Sequence, residues 1–241
     1  LRRTGFAYVA ATLLALMLAA ATPSAGSARP RSPQAAIPRS ARQLIVVSSP
    51  TVDPPGYIAT LRAYVRSGPA APWREVLGGW VAETGSGHLV PAALRREGDH
   101  ATPIGVFGFG ATIYGNARNP GGLHYRYHQL VCGDWWDEDS GTALYNHFVH
   151  VRCGTAPDFA SASEALWTET HAYPYFAVIR FNMSPTVRGA RAPGSGIFLH
   201  SWMNAPTEGC VALRRGHLLR LLRWLRPAKH PVIEIRAGAS I

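Results

Sequence analysis

Turn residues interrupt this chain too often for a helical fold. Runs of β-branched and aromatic residues recur along it: LIVVSS (44–49), YIATLRAYV (57–65), REVLGGWVAET (74–84), IGVFGFG (104–110), YFAVIRFN (175–182), GIFLHSWM (196–203) and VIEI (232–235). Each run ends after a few positions at a break rich in Gly, Pro or Ser. With 24 glycines and 19 prolines among 241 residues, few stretches are long enough for a stable helix. Short β-favouring runs bounded in this way read as strands. A succession of them predicts a mainly β domain, a mixed β-sandwich or barrel-like architecture.

One segment breaks that rule. In RRGHLLRLLRWLR (214–226), Leu218, Leu221, Leu222 and Leu225 recur at helical spacing and form one apolar face. Arg220, Arg223 and Arg226 lie elsewhere around it, basic residues near the last turn suit the helix dipole, and Pro227 ends it. The spacing predicts a helix packed on the sheet just before the last strand. Residues 115–174 read as a long irregular insertion with Trp135, Trp136 and Trp167, of the kind that forms a wall or lid beside a site.

The N-terminal end carries an export pattern. Arg2 and Arg3 precede the apolar run FAYVAATLLALMLAAA (6–21), and small residues follow to Ala28. The run is shorter than the ~20 residues that span a bilayer, so 1–28 is expected to be a cleaved secretory signal; left uncleaved it would act as a membrane anchor. Residues 29–43 (RPRSPQAAIPRSARQ) form a Pro/Arg/Ser-rich linker, 44–236 the domain and 237–241 a tail.

The formal net charge is +10, and all but one of the 24 basic residues are arginine. The arginines are scattered rather than gathered into a stripe with interleaved aromatics, which argues against nucleic acid. A secreted protein of this charge can dwell near anionic cell-wall polymers.

Three cysteines cannot all pair within one chain, and each of the three possible pairings leaves one thiol. Cys132 and Cys153 flank the loop-like GDWWDEDSGTALYNHFVHVR, and closing a loop of that size is worth about 3 kcal/mol. We therefore pair those two and leave Cys210 free. His200 ends the run GIFL, while Cys210 follows a short polar loop and a glycine. A strand, a tight loop and a return would bring thiol and imidazole together, as nucleophilic catalysis requires. Gly209 would let backbone amides turn toward an oxyanion. The alternative is a buried structural cysteine beside a core histidine. The pairs His124/His128 and His147/His150 have the spacing of metal ligands on a helix, but HYRYH is β-favouring, which separates the first pair. Loop histidines bonded to their surroundings are the simpler reading.

Three blocks resemble the L,D-transpeptidase catalytic domain of the YkuD type, in a divergent secreted branch from high-G+C bacteria. REGDHATPIGVFGF (96–109) is similar to the family's early segment, with Asp99, Thr102, Pro103, Gly105 and Phe107 in place. GIFLHS is similar to the strand that ends in the family's histidine. PTEGCVAL, a helix and PVIEI resemble its nucleophile loop, helix and closing strand, and CGDWWDEDSGTALYNHF resembles the branch's Trp/Asp/Tyr-Asn segment.

The resemblance implies a YkuD-like β domain over roughly 44–236, with Cys210 as nucleophile, His200 as base, and the Ser201 carbonyl orienting the imidazole. The Gly209 amide is implied in the oxyanion site. Thr207, Glu208, Trp202, Tyr145 and Asn146 are implied at the substrate. The implied reaction is acyl transfer on peptidoglycan stem peptides through a thioester, giving 3→3 cross-links. Water as acceptor would make the same enzyme a carboxypeptidase, and loss of chemistry would leave a wall-binding module. No metal or organic cofactor is implied.

The likeness departs at Thr207-Glu208-Gly209-Cys210, where the family commonly has Ser/Thr-His-Gly-Cys, and at Ala212, where it has Arg or Asn. Glu208 beside a thiol would oppose thiolate formation; a plain solvent-facing turn residue is the simpler reading, and the alternative is that it faces away from the sulfur, toward the acceptor amine or Arg214.

Overall fold

The computed structural model describes Leu1 and residues 37–49, 56–160 and 163–238. The chain divides into a unit Leu1–Pro33 and a unit Gln34–Ile241, and everything below concerns the second. Apart from Leu1, the expected signal lies outside the described residues, as do linker residues 29–36 and tail residues 239–241. The linker's last residues are held to the domain: Arg66 donates to the carbonyls of Pro38 and Ala41, both at 2.7 Å, and Ala41 is fully buried.

Among the described residues, thirteen strands and one α-helix make up the domain: β1 (Gln43–Ser49), β2 (Ile58–Val65), β3 (Arg74–Glu83), β4 (Leu89–Pro91), β5 (Thr102–Gly115), β6 (Arg126–Gln129), β7 (Asp134–Asp137), β8 (His147–His150), β9 (Glu164–Ala165), β10 (Phe176–Ile179), β11 (Phe198–Ser201), β12 (Val211–Leu213), α1 (Arg215–Trp224) and β13 (Val232–Ala237). Mainly β, with one helix between the cysteine loop and the last strand, this is the expected fold class.

The main sheet runs β10-β11-β12-β3-β2-β1-β13-β5-β4, and β5 pairs again with β10, so the path closes on itself. The neighbours β11 and β12 are parallel, with Leu199 opposite Val211 and His200 opposite Ala212. Closure matters because it puts both ends of the chain's order, β5 early and β10–β12 late, around one interior. There Ile45, Val47, Leu61, Ile113, Ile179, Leu199, Val211 and Leu213 are buried together with the helix leucines 218, 221, 222 and 225. The α1 face is the one its leucine spacing predicts.

The insertion is more regular than expected. It contributes β6 to the main sheet and builds a second, three-stranded sheet in the order β8-β7-β9. These strands have two to four residues, too short for an alternating pattern to be visible in the sequence. The disulfide Cys132–Cys153 ties the base of this sheet. Buried Asp134, at the same end, links it to β6, accepting from Val131 N–H at 2.8 Å and bonding His128 at 2.8 Å and His150 at 2.7 Å. One histidine from each of the two spaced pairs is thus engaged by a carboxylate of the same small sheet, and the members of a pair do not work together. His147 instead bonds the Tyr145 carbonyl through Nδ1 at 2.8 Å. A second apolar cluster, including Trp136, Leu166, Tyr173, Phe176, Phe198 and Cys210, lies between this insertion and strands β10–β11.

Candidate active site

Side chains two apart on a strand share a face. The parallel register therefore sets Phe198 and His200 on the same face as Cys210 and Ala212. His200 and Cys210 are diagonal neighbours across β11 and the start of β12, with Cα atoms about 8 Å apart on standard strand spacings. Both are nearly closed to solvent, at 4% and 7% exposure. The Cys210 thiol donates to Gly196 O and accepts the Phe198 N–H, both at 3.2 Å. The thiol thus donates to a backbone carbonyl rather than to the imidazole.

His200 Nδ1 lies 2.8 Å from Ser201 O. A carbonyl accepts only, so Nδ1 carries the ring proton and Nε2 keeps its lone pair. The Tyr173 ring stands edge-on to the imidazole at 5.5 Å, and its hydroxyl donates to Glu164 at 2.6 Å.

Burial dominates the electrostatics. It pushes the His200 pKa down to about 4, against the carbonyls of Ser201 and Ala172, which favour the charged ring. Burial also pushes the Cys210 thiol well up; the Phe198 N–H and Arg95 oppose that shift, while Glu164 and Glu138 reinforce it. Glu138 is raised to about 9 by burial, then by Glu164, Glu97, Glu208 and Asp137. Glu164 is raised to about 7 by burial, with the Tyr173 hydroxyl pulling the other way. At neutral pH the pair is therefore a thiol beside a neutral imidazole. Such a site makes its charges only as the proton moves.

The cysteine turn is tied down from beneath. Thr207 Oγ1 donates to Cys210 O at 2.8 Å and accepts the Gly209 N–H at 3.2 Å. Gly209 has φ +124°, and a Cβ there would stand 2.8 Å from Ala101 O, so only glycine fits. Thr102 Oγ1 accepts the Gly85 N–H at 2.7 Å and reaches Cys210 O at 3.5 Å. Glu83 accepts the Met203 N–H at 3.2 Å and steadies the loop that leads into the turn.

The residues the resemblance placed at the substrate divide into two sets. Trp202 and Glu208 are at the rim, with the Glu208 side chain 85% exposed. Thr207, Tyr145 and Asn146 are buried and bonded within the protein. Tyr145 donates its hydroxyl to Glu97. Asn146 accepts from Trp136 Nε1 and Gly196 N, both at 3.0 Å, and donates to the carbonyls of Phe181 and Asn182, both at 2.9 Å. It fixes Gly196, whose carbonyl accepts from the thiol. Gly209's amide is committed to Thr207 rather than free for an oxyanion. Glu208 faces His100, at 4.0 Å, and not Arg214, whose guanidinium lies over the Trp202 ring at 5.2 Å.

Tyr173, Glu138, Glu164 and Arg95 border the thiol–imidazole pair without having been singled out in the sequence. Glu138 lies within the Trp/Asp/Tyr-Asn segment as one of several acidic residues, the other three lie outside the family-like segments, and only the fold gathers them.

A closed β-sheet with one helix before its last strand, and a thiol and an imidazole on adjoining parallel strands, has the architecture of an acyltransferase domain. More particularly, the chain belongs to the YkuD family: the family model for the L,D-transpeptidase catalytic domain matches residues 46–233. No curated protein and no solved structure matches the chain. Membership carries an L,D-transpeptidase-type function in peptidoglycan, whose stem peptides are the family's substrate.

Proposed function

We propose that this protein is an exported L,D-transpeptidase that forms 3→3 cross-links, with Cys210 as nucleophile and His200 as its base. The observation that carries the reading is the shared face of β11 and β12: an imidazole whose Nε2 is unprotonated lies one diagonal from a thiol. As the stem peptide binds, the thiol turns from Gly196 O and the sulfur gives its proton to His200 Nε2. The sulfur attacks the carbonyl of the third residue, a diamino acid. The peptide nitrogen of the terminal D-alanine takes the proton from His200 and departs, leaving a thioester. An amine from a neighbouring stem then attacks that thioester, gives its proton to His200 and expels the thiolate, which recovers a proton.

Burial supports this sequence. A neutral imidazole of low pKa returns its proton readily to a leaving amine, and a water-poor site favours amine over water as acceptor. The basic and apolar leader, together with the Cys132–Cys153 disulfide, supports export.

The test is intact-mass analysis after exposure to a carbapenem, whose strained lactam a thiolate opens, on wild type and Cys210→Ser. The expected result is one adduct in wild type and none in the variant. An adduct that survives in Cys210→Ser, or is missing from wild type, removes Cys210 from the mechanism. A disaccharide-tetrapeptide substrate then separates a cross-linked product from a hydrolysed one by mass.

A further inference from the structure

Around the thiol, the charges that face it are unequal in sign. Glu164 from β9 and Glu138 just after β7 lie on the insertion side, with Tyr173 and the neutral His200 beside them, and Glu208 acts on both carboxyls from the rim. A cation that acts on Cys210 is Arg95. It is 2% exposed, and its Nε has no hydrogen-bond partner. Its guanidinium contacts Asp99 and lies 5.6 Å from the Phe181 ring centroid, with Glu97 and Tyr145 also facing it. Burying a guanidinium with a spare donor is costly unless fixed charges compensate it.

Backbone geometry places this cation close to the sulfur. A Cβ on Gly194 would stand 2.6 Å from Arg95 Nη2. Ser195 donates to Glu97 at 2.8 Å, and Gly196 O accepts from the thiol. Three consecutive residues thus form a strap with Arg95 and Glu97 on one side and Cys210 on the other. The segment that bears Arg95 reaches the cysteine turn by a second route: Asp99 holds the Ala101 N–H at 3.0 Å, and Ala101 O packs against Gly209.

We propose that Arg95 is a positioning residue for the acyl transfer: its buried guanidinium, one strap of backbone from Cys210, supplies the fixed positive charge that stabilises the Cys210 thiolate against Glu138 and Glu164. The role deepens the reading of Cys210 as nucleophile and rests on it. Arg95 touches neither substrate nor sulfur. It makes the transient anion affordable in a pocket that otherwise opposes it, while Glu97, bonded to Tyr145 and Ser195, draws part of its field away.

The test is the rate of Cys210 alkylation by iodoacetamide on the folded protein, followed from about pH 7 to about pH 10, in wild type, Arg95→Met, Arg95→Lys and Glu97→Gln. This readout reports thiolate formation whether or not the protein cross-links peptidoglycan, and the carbapenem adduct in wild type independently establishes the nucleophile. Arg95→Met is expected to lower the rate about tenfold across the range, the equivalent of one pKa unit. Arg95→Lys should recover most of that loss. Glu97→Gln should raise the rate about threefold, because it removes a competing anion.

If Arg95→Met does not fold, the other two variants decide. A Glu97→Gln protein as slow as wild type or slower, or an Arg95→Lys protein as impaired as a full tenfold loss, overturns the proposal. A purely structural Arg95 would leave the profile of every folded variant unmoved.

Discussion

Strands β10, β11 and β12 separate two interiors of opposite character. On one face Ala177, Ile179, Leu199, Val211 and Leu213 join the largely aliphatic core with the helix leucines. On the other, Phe176, Val178, Phe198 and Cys210 join an aromatic cluster, and His200 faces Tyr173 on the same side. Alternate residues of the same short strands thus serve different ends. The first face needs only volume and shape, so its residues are interchangeable in kind. The second holds a thiol, an imidazole and two carboxyls raised by burial, an arrangement that opposes ionisation and is useful only if protons move through it. The strand pair is held rigid from its aliphatic side, and that lets the reactive side keep groups in unfavourable surroundings.

The largest effect that tests this division is on stability. Leu199→Ala empties part of the aliphatic face, and burial at 0% exposure predicts a loss of about 2–5 kcal/mol, read from the urea midpoint. In the fraction that remains folded, the carbapenem adduct should form within about twofold of the wild-type rate. The mirror change, Phe198→Leu, keeps much of the apolar volume and should cost less than about 2 kcal/mol. It loosens the cluster around the sulfur, so it should move the adduct rate more than Leu199→Ala does. The opposite ranking would show that the two faces are not independent.

Acid gives the next largest effect, and it acts on one face only. His200 is held at about 4, below the ~6.5 of an unfolded histidine. A depressed folded pKa means that the unfolded state binds the proton first. Its contribution is therefore complete above about pH 6.5 and is lost as the pH falls through about 4. The full span amounts to at most about 3 kcal/mol. Glu138 and Glu164 run the other way: their raised folded values, about 9 and about 7, give stability that is complete below about pH 4.5 and is lost as the pH rises through those values. Relative to wild type, His200→Gln should gain stability between about pH 7 and about pH 4, measured by urea melts at each pH. A difference independent of pH would mean that the imidazole is not buried as a neutral group.

These two faces were not equally visible in the sequence. The aliphatic one was legible because its strands β1, β2, β3 and β5 are long enough to show a run, and because α1 repeats leucine at helical spacing. The Cys210–His200 relation was legible because both residues lie within one strand–loop–strand unit of the chain. The support for that pair was not. Asn146, Tyr145 and Thr207 were expected at the substrate, since a motif carries no sign of which side of a backbone its side chains occupy. Here they face inward and hold Gly196, Glu97 and the cysteine turn. Tyr173, Glu138 and Glu164 belong to an insertion whose strands are too short for a pattern, and Arg95 precedes its motif. Contacts made across long stretches of chain by residues of ordinary type leave no local trace.

The smallest effect concerns Glu208, where the family commonly has histidine. Its side chain is 85% exposed and lies 4.0 Å from His100, itself half exposed, so any pairing is screened by solvent and worth little. Glu208→Ala should change stability by less than about 0.5 kcal/mol. Its charge still raises the pKa of Glu138 and Glu164, so removing it lets both ionise slightly more easily. Those carboxylates oppose the thiolate, so the change reaches Cys210 only indirectly and slightly disfavours its ionisation. The expected change in carbapenem acylation is below about twofold at neutral pH. A tenfold loss of acylation would instead place Glu208 among the groups that act on the thiol. The rim would then share the chemistry proposed for the buried face of β11 and β12.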